Sequence, residues 1–197
     1  MIFAAAPPGS DAAAIALSRE VAGEFASVFE RHHPAVHSYL ARRLGVDLAD
    51  ELAAEAFAVA FAKRDRYDSS YEDARPWLLG IATHLARRHW RREERELRAY
   101  ARTGLDPCSP SHEELATERM SSAAAGPALA AALAALSGAE RDVLLLYAWG
   151  ELGYPEIAAA LSISPGTVKS RLHRARTRVR EALALAGELD ERFASNE

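Results

Sequence analysis

The chain predicts an all-α fold: two small helical domains joined by a flexible acidic linker. Three observations predict it. Its 197 residues are 49% apolar and 26% charged, with Ala, Leu, Arg and Glu abundant, a globular composition rich in helix formers. Apolar residues recur at helical spacing in two separate blocks, and no alternating strand pattern appears. Between the blocks, from about Ala101 to Pro127, the pattern gives way to Gly104, Pro107, Ser109, Pro110 and Gly126, punctuated by Asp106, Glu113, Glu114 and Glu118, which has the composition of a linker.

Residues 1–20, with Pro7, Pro8 and Gly9 among alanines, form a weakly ordered lead-in on this reading. The first domain spans 21–100. Phe25, Val28 and Phe29 share a helical face, Pro34 interrupts it, and Val36, Tyr39, Leu40 and Leu44 resume the pattern up to Gly45. Asp47 is placed to cap the next helix, which carries a Leu52, Ala56, Val59, Ala60 stripe beside the pair Phe57 and Phe61. Asp68, Ser69 and Ser70 mark a loop, after which Trp77, Leu78, Ile81 and Leu85 lead one long helix into RRHWRREERELR.

The second domain spans 128–187, ahead of a tail at 188–197. Ser137 and Glu140 have capping-box spacing, and Gly150 and Gly153 break the chain before Pro155. Ser164 then caps a last helix with Pro165 at its first position. In that helix Val168, Leu172, Ala175 and Val179 fall within one narrow arc, and Lys169, Ser170, His173 and Arg174 fall opposite. Helix, tight turn and capped second helix make a helix-turn-helix pattern. Between Ser162 and Arg180 stand six cations and no carboxylate. Setting those six aside leaves −10 on the rest of a chain whose net charge is −4, so charge is segregated, and the cationic helix suits phosphates. Its N-terminal turns present Thr167, Lys169, Ser170, Arg171 and Arg174 to base edges, while Arg176, Arg178 and Arg180 lie where phosphate is reached. Arg87, Arg88, Arg91, Arg92, Arg95 and Arg98 offer a second basic surface, partly offset by Glu93, Glu94 and Glu96.

Several function classes are excluded. The single cysteine, Cys108, rules out an intrachain disulfide framework and a multi-cysteine zinc site, which fits a reducing cytoplasm. The N-terminus lacks a cationic start and fails as a secretory signal. No apolar run approaches the roughly 20 residues of a membrane span. His112, Glu113 and Glu114 begin like the zinc-protease motif, but Ala116 stands where its second histidine is needed. His32 and His33 are neighbours on different helix faces, expected at the surface rather than as a ligand pair. No catalytic residue, metal or cofactor is expected.

The stretches DLADELAAEAFAVAFAKRDRYD with ARPWLLGIATHLARR, and LSGAERDVLLLYAWGELGYPEIAAALSISPGTVKSRLHRARTRVREAL, resemble the second and fourth conserved regions of the extracytoplasmic-function (group IV) sigma factors of bacterial RNA polymerase. The resemblance implies a cytoplasmic, non-enzymatic subunit that binds core RNA polymerase and directs it to promoter DNA in a stress response. It also implies an anti-sigma factor as partner and no insertion into the membrane. It assigns Asp50, Glu51 and Glu55 to polymerase binding; Asp68, Tyr71, His84, Arg87, Arg88 and Arg91 to the −10 element; and Ser164, Thr167, Lys169, Ser170, Arg171, Arg174 and Arg176 to the −35 element. His84 stands where the family often has Asn, Ala74 where it often has an aromatic, Gly153 where it often has a capping Ser, and Ser162 where it often has Gly. A two-domain helix-turn-helix regulator acting without polymerase is the alternative within the same broad class.

Overall fold

A computed structural model describes residues 9–103 and 125–194; they are helical, with no strand among them. Helix α1 (Asp11–Leu17) begins where the Ser10 hydroxyl accepts the Ala13 amide at 3.2 Å. From Gly9 onward the lead-in differs from the weakly ordered segment expected: Ala12 and Ile15 are buried, and the Asp11 amide donates to the Glu72 carbonyl. Its ordering comes from partners about sixty residues away, which no local pattern reports.

Helix α2 (Ala26–Leu44) runs straight through Pro34, where an interruption was expected. Pro34 and Glu30 are both exposed, so the carbonyl that proline leaves without a donor faces water, while Val28, Val36 and Leu40 stay buried on the other face. Gly45 alone separates α2 from α3 (Val46–Ala62), at φ 85°, a left-handed conformation that a side chain would strain. The cap expected from Asp47 is absent, because Gly45 occupies the N-cap position; Asp47 sits in the first turn, where its charge complements the helix dipole.

A 3₁₀ turn at Arg64–Arg66 and a loop lead to α4 (Arg75–Ala86). The single long helix expected from Trp77 onward is split by another 3₁₀ turn, Arg87–His89, before α5 (Trp90–Thr103). The two halves have different neighbours: α4 packs on α2 and α3, and α5 packs on α6 (Ala125–Ala135). The linker expected at 101–127 is thus helical at both described margins; Asp106, Cys108, Glu113, Glu114 and Glu118 lie outside the described residues.

Helix α7 (Gly138–Ala148) opens with the expected capping box: the Glu140 amide donates to Ser137 Oγ, and the Ser137 amide donates to Glu140 Oε2. Helix α8 (Tyr154–Leu161) begins with the Gly153 amide bonded to the Glu156 carboxylate at 2.5 Å. It ends at Ser162, whose φ of 53° is a left-handed conformation that a side chain strains and glycine adopts freely. Helix α9 (Pro165–Ala194) continues through most of the expected tail.

The two domains are docked. One apolar core continues from Leu40, Leu52 and Leu79 into Val143, Leu146 and Ile157. Helix α4 lies directly against α8, so closely that a Cβ at Gly80 would collide with the Ala160 carbonyl.

Candidate nucleic-acid interface

The second helix of the helix-turn-helix is α9. Ser164 Oγ accepts the Thr167 amide at 3.1 Å, fixing the helix start. Val168, Leu172 and Ala175 are buried and Val179 is half-buried, as the stripe predicts. Burying that stripe leaves Ser164, Lys169, Ser170, His173 and Arg174 exposed. The Ser170 hydroxyl is folded back onto the Thr167 carbonyl at 3.0 Å. Arg171 is half-buried in a cleft shared with Arg43, Arg87 and Asp142.

The cationic face is not free of carboxylates, although its own sequence has none. Glu140 of α7 binds Arg174 at 3.3 Å and Arg178 at 2.7 Å. Burial raises the Glu140 pKa, but the Ser137 hydrogen bonds and the two arginines outweigh burial and hold it below the usual carboxylate range. The Arg176 guanidinium lies 4.4 Å from the Tyr147 ring centre, a cation–π contact.

A second surface surrounds α4. Asp68, Tyr71, His84 and Arg87 line one cleft of about 740 Å³ with Tyr67 and Trp77, whose rings lie 5.0 Å apart. Asp68 accepts the Ser70 amide at 3.0 Å; that bond holds its pKa below the ordinary value and shapes the loop. The Tyr67 hydroxyl donates to the Tyr71 carbonyl at 2.7 Å, and burial raises its pKa. Tyr71 is exposed, at 44%. Arg88 and Arg91 do not line this cleft: Arg88 pairs with Glu55 at 2.7 Å, which ties one expected −10 residue to one expected polymerase residue. Asp50 accepts His37 Nε2 at 2.9 Å, and Glu51 is exposed. The expected ion pairing along α5 is present as Arg92–Glu96 and Glu94–Arg98.

Sequence reasoning missed two buried charge clusters. His32 is buried rather than at the surface: its Nε2 lies 2.6 Å from Asp11 Oδ2, which also accepts the Ala74 amide at 2.7 Å, while Arg31 binds Asp11 Oδ1. Asp73 lies near enough to complete a three-ligand set with Asp11 and His32. The Arg31 guanidinium and the Ala74 amide already supply the Asp11 carboxylate with donors, so these groups brace α1, α2 and the start of α4. In the other cluster, Arg43, Glu93, Arg141 and Asp142 are all buried between the domains. No spacing within either block could reveal it, because its members come from α2, α5 and α7.

Residues 28–96 match the family model for sigma-70 region 2, and residues 127–179 match that for sigma-70 region 4. The RNA polymerase sigma factor CarQ of Myxococcus xanthus is 34% identical over 177 residues, 84% of this chain and 91% of the relative. The ECF RNA polymerase sigma factor EcfG of Rhodopseudomonas palustris is 30% identical over 149 residues, 73% and 76% of the two chains. The chain belongs to the ECF RNA polymerase sigma factors. As a sigma factor it is not an enzyme: it binds core RNA polymerase and directs promoter-specific transcription initiation. The fold of this sigma factor is similar to that of CnrH, solved in complex with the cytosolic domain of CnrY, with a TM-score of 0.61 at 21% identity over 89% of this chain and 97% of that one. It is also similar to RpoE of Bartonella quintana, solved with the anti-sigma factor NepR, with a TM-score of 0.55 at 23% identity over 82% and 98%. Among the described residues no helix is long and apolar enough to cross a membrane.

Proposed function

We propose that this sigma factor is a cytoplasmic member of group IV that divides promoter recognition between its two domains. The N-terminal domain, residues 21–100, grips core polymerase through Asp50, Glu51 and Glu55. It captures unstacked −10 DNA with Asp68, Tyr71, His84 and Arg87, while Arg88 and Arg91 contact the backbone. The cleft joins an aromatic floor of Tyr67 and Trp77 to cationic rims, a combination suited to a flipped base and its phosphates. The C-terminal domain, residues 128–187, inserts the start of α9 into the −35 major groove, where Lys169, Arg171 and Arg174 meet base edges. Ser164, Thr167, Ser170 and Arg176 position the backbone. An anti-sigma factor, the partner named for the B. quintana relative, holds the protein inactive until it is needed.

The observation that carries this reading is α9 itself: a Ser164-capped helix with Val168, Leu172 and Ala175 buried and Lys169 and Arg174 exposed opposite them. Transcription with purified core polymerase on a genomic library is expected to start at a restricted set of promoters. On a promoter so found, Arg174→Ala should weaken binding by about 1–3 kcal/mol at fixed salt. Unchanged affinity and selectivity would remove Arg174 from the −35 contact.

A further inference from the structure

Helix α1 lies ahead of residues 28–96, the part of the chain that matches sigma-70 region 2, yet it is bonded to both ends of the loop that carries Asp68 and Tyr71. At its start, the Asp11 amide donates to the Glu72 carbonyl at 3.1 Å, and the Asp11 carboxylate accepts the Ala74 amide at 2.7 Å. One residue thus grips the backbone on either side of Asp73. Just past its end, the Ser18 carbonyl accepts Arg64 Nε at 3.2 Å, and Arg19 donates to the Arg64 carbonyl at 3.2 Å and lies 3.6 Å from the Asp65 carboxylate. We infer that α1 is a positioning element for −10 recognition: it spans the loop as a strut, and Asp11 and Arg19 fix the two points from which Asp68 and Tyr71 are presented to DNA. The inference rests on the assignment of those two residues to the −10 element.

Both the shape and the seating of α1 suit that role. Its seven helical residues make a rigid rod of about 10 Å. Ala12 and Ile15 are buried beneath it, so its apolar face anchors it to the domain while its ends serve the loop. Asp11 is itself buried, held by His32 Nε2 at 2.6 Å and by Arg31, and cannot swing out to water. At the other anchor Arg64 is fixed in turn: its guanidinium donates to the Phe61 carbonyl at 2.7 Å and lies 4.1 Å from the Phe61 ring centre.

Between the anchors the loop is held by short-range bonds. The Tyr71 amide donates to the Asp68 carbonyl at 3.1 Å, the Ser70 amide to the Asp68 carboxylate at 3.0 Å, and the Tyr67 hydroxyl to the Tyr71 carbonyl at 2.7 Å. These bonds shape the turn locally. They do not fix where the turn stands relative to His84 of α4, which lines the same cleft; the two ends do. A recognising group discriminates only when it is held within about 0.5 Å of its productive position. A loop released at either end would sample several positions, lose more conformational freedom on capturing a base, and penalise a wrong base less.

Holoenzyme reconstituted from purified core polymerase and the full chain tests this on a promoter found by transcription of a genomic library. Open-complex formation is compared between that promoter and versions altered one base at a time in the −10 or the −35 element. Asp11→Ala and Arg19→Ala, with far-UV helicity retained, should each lower selectivity among −10 bases several-fold and leave selectivity at −35 unchanged. Arg19 is exposed, so its variant tests the strut even where Asp11→Ala lowers stability. Leu40→Ala opens a cavity at a buried site about two turns along α2 from His32; it should lower stability yet keep the wild-type selectivity at −10. An equal loss of −10 selectivity in Leu40→Ala would show that α1 acts through stability alone and would overturn the inference. Unchanged −10 selectivity in both α1 variants, with Tyr71→Ala lowering it, would overturn the strut and keep the assignment of the loop. Unchanged selectivity in Tyr71→Ala as well would overturn that assignment, and the strut with it.

Discussion

A single carboxylate, that of Asp11, joins three parts of the N-terminal domain. It accepts the Ala74 amide that starts α4, lies 2.6 Å from His32 of α2, and binds Arg31. Burial would raise its pKa, but the His32 bond, the Ala74 amide and the charges of His32 and Arg31 outweigh burial and hold it lowered. A carboxyl with a lowered pKa in the folded state takes up its proton more readily when unfolded. Its contribution is therefore present above the ordinary value of about 3.9 and is lost as pH falls through the folded value. Asp11→Asn should cost about 1–3 kcal/mol at neutral pH, since it strips buried donors of a charged acceptor. In denaturant titrations, that gap should narrow as pH is lowered from about 5 to 3. A gap independent of pH would show that Asp11 acts through shape alone. None of this was legible in sequence, where Asp11 reads as one acid in an alanine-rich lead-in and His32 as half of an ordinary histidine pair.

Among the elements, α9 carries the cationic face and α7 pairs with part of it. Glu140 serves both, closing the capping box with Ser137 and binding Arg174 and Arg178. Glutamine at this third helical position can still complete a capping box, so Glu140→Gln separates the two roles. On random-sequence duplex DNA, the slope of log affinity against log salt should steepen by about 0.9, because Arg178 becomes free to displace a counterion. An unchanged slope would mean that Arg178 does not face phosphate. Helix existence and starts at α7 and α9 followed from the sequence, because capping is a contact between residues three apart. Element continuity did not. Pro34 passes through α2 because the Glu30 carbonyl it leaves without a donor lies on the exposed face, and α4 breaks from α5 at Arg87–His89 because its two sides pack on different partners.

At the scale of the whole molecule, the two family regions are one folded body. Trp77 belongs to the first domain and Trp149 to the second, yet both pack against the same continuous core. Denaturant unfolding followed by tryptophan fluorescence should therefore coincide with far-UV circular dichroism in a single transition. Two resolved transitions would show that the domains fold independently. By itself, the sequence determined the helical class, the helix-turn-helix, the capped recognition helix and the basic residues that face away from its apolar stripe. Each of these depends on neighbours within one or two turns, a distance at which periodicity and spacing report contacts directly. Only the tertiary structure decided that the domains dock, that Glu140 neutralises part of the cationic face, and that Arg43, Glu93, Arg141 and Asp142 share one buried site. Those contacts join residues 34 to 50 positions apart or more. Charges that look solvated along the chain become one another's partners once packing removes their water.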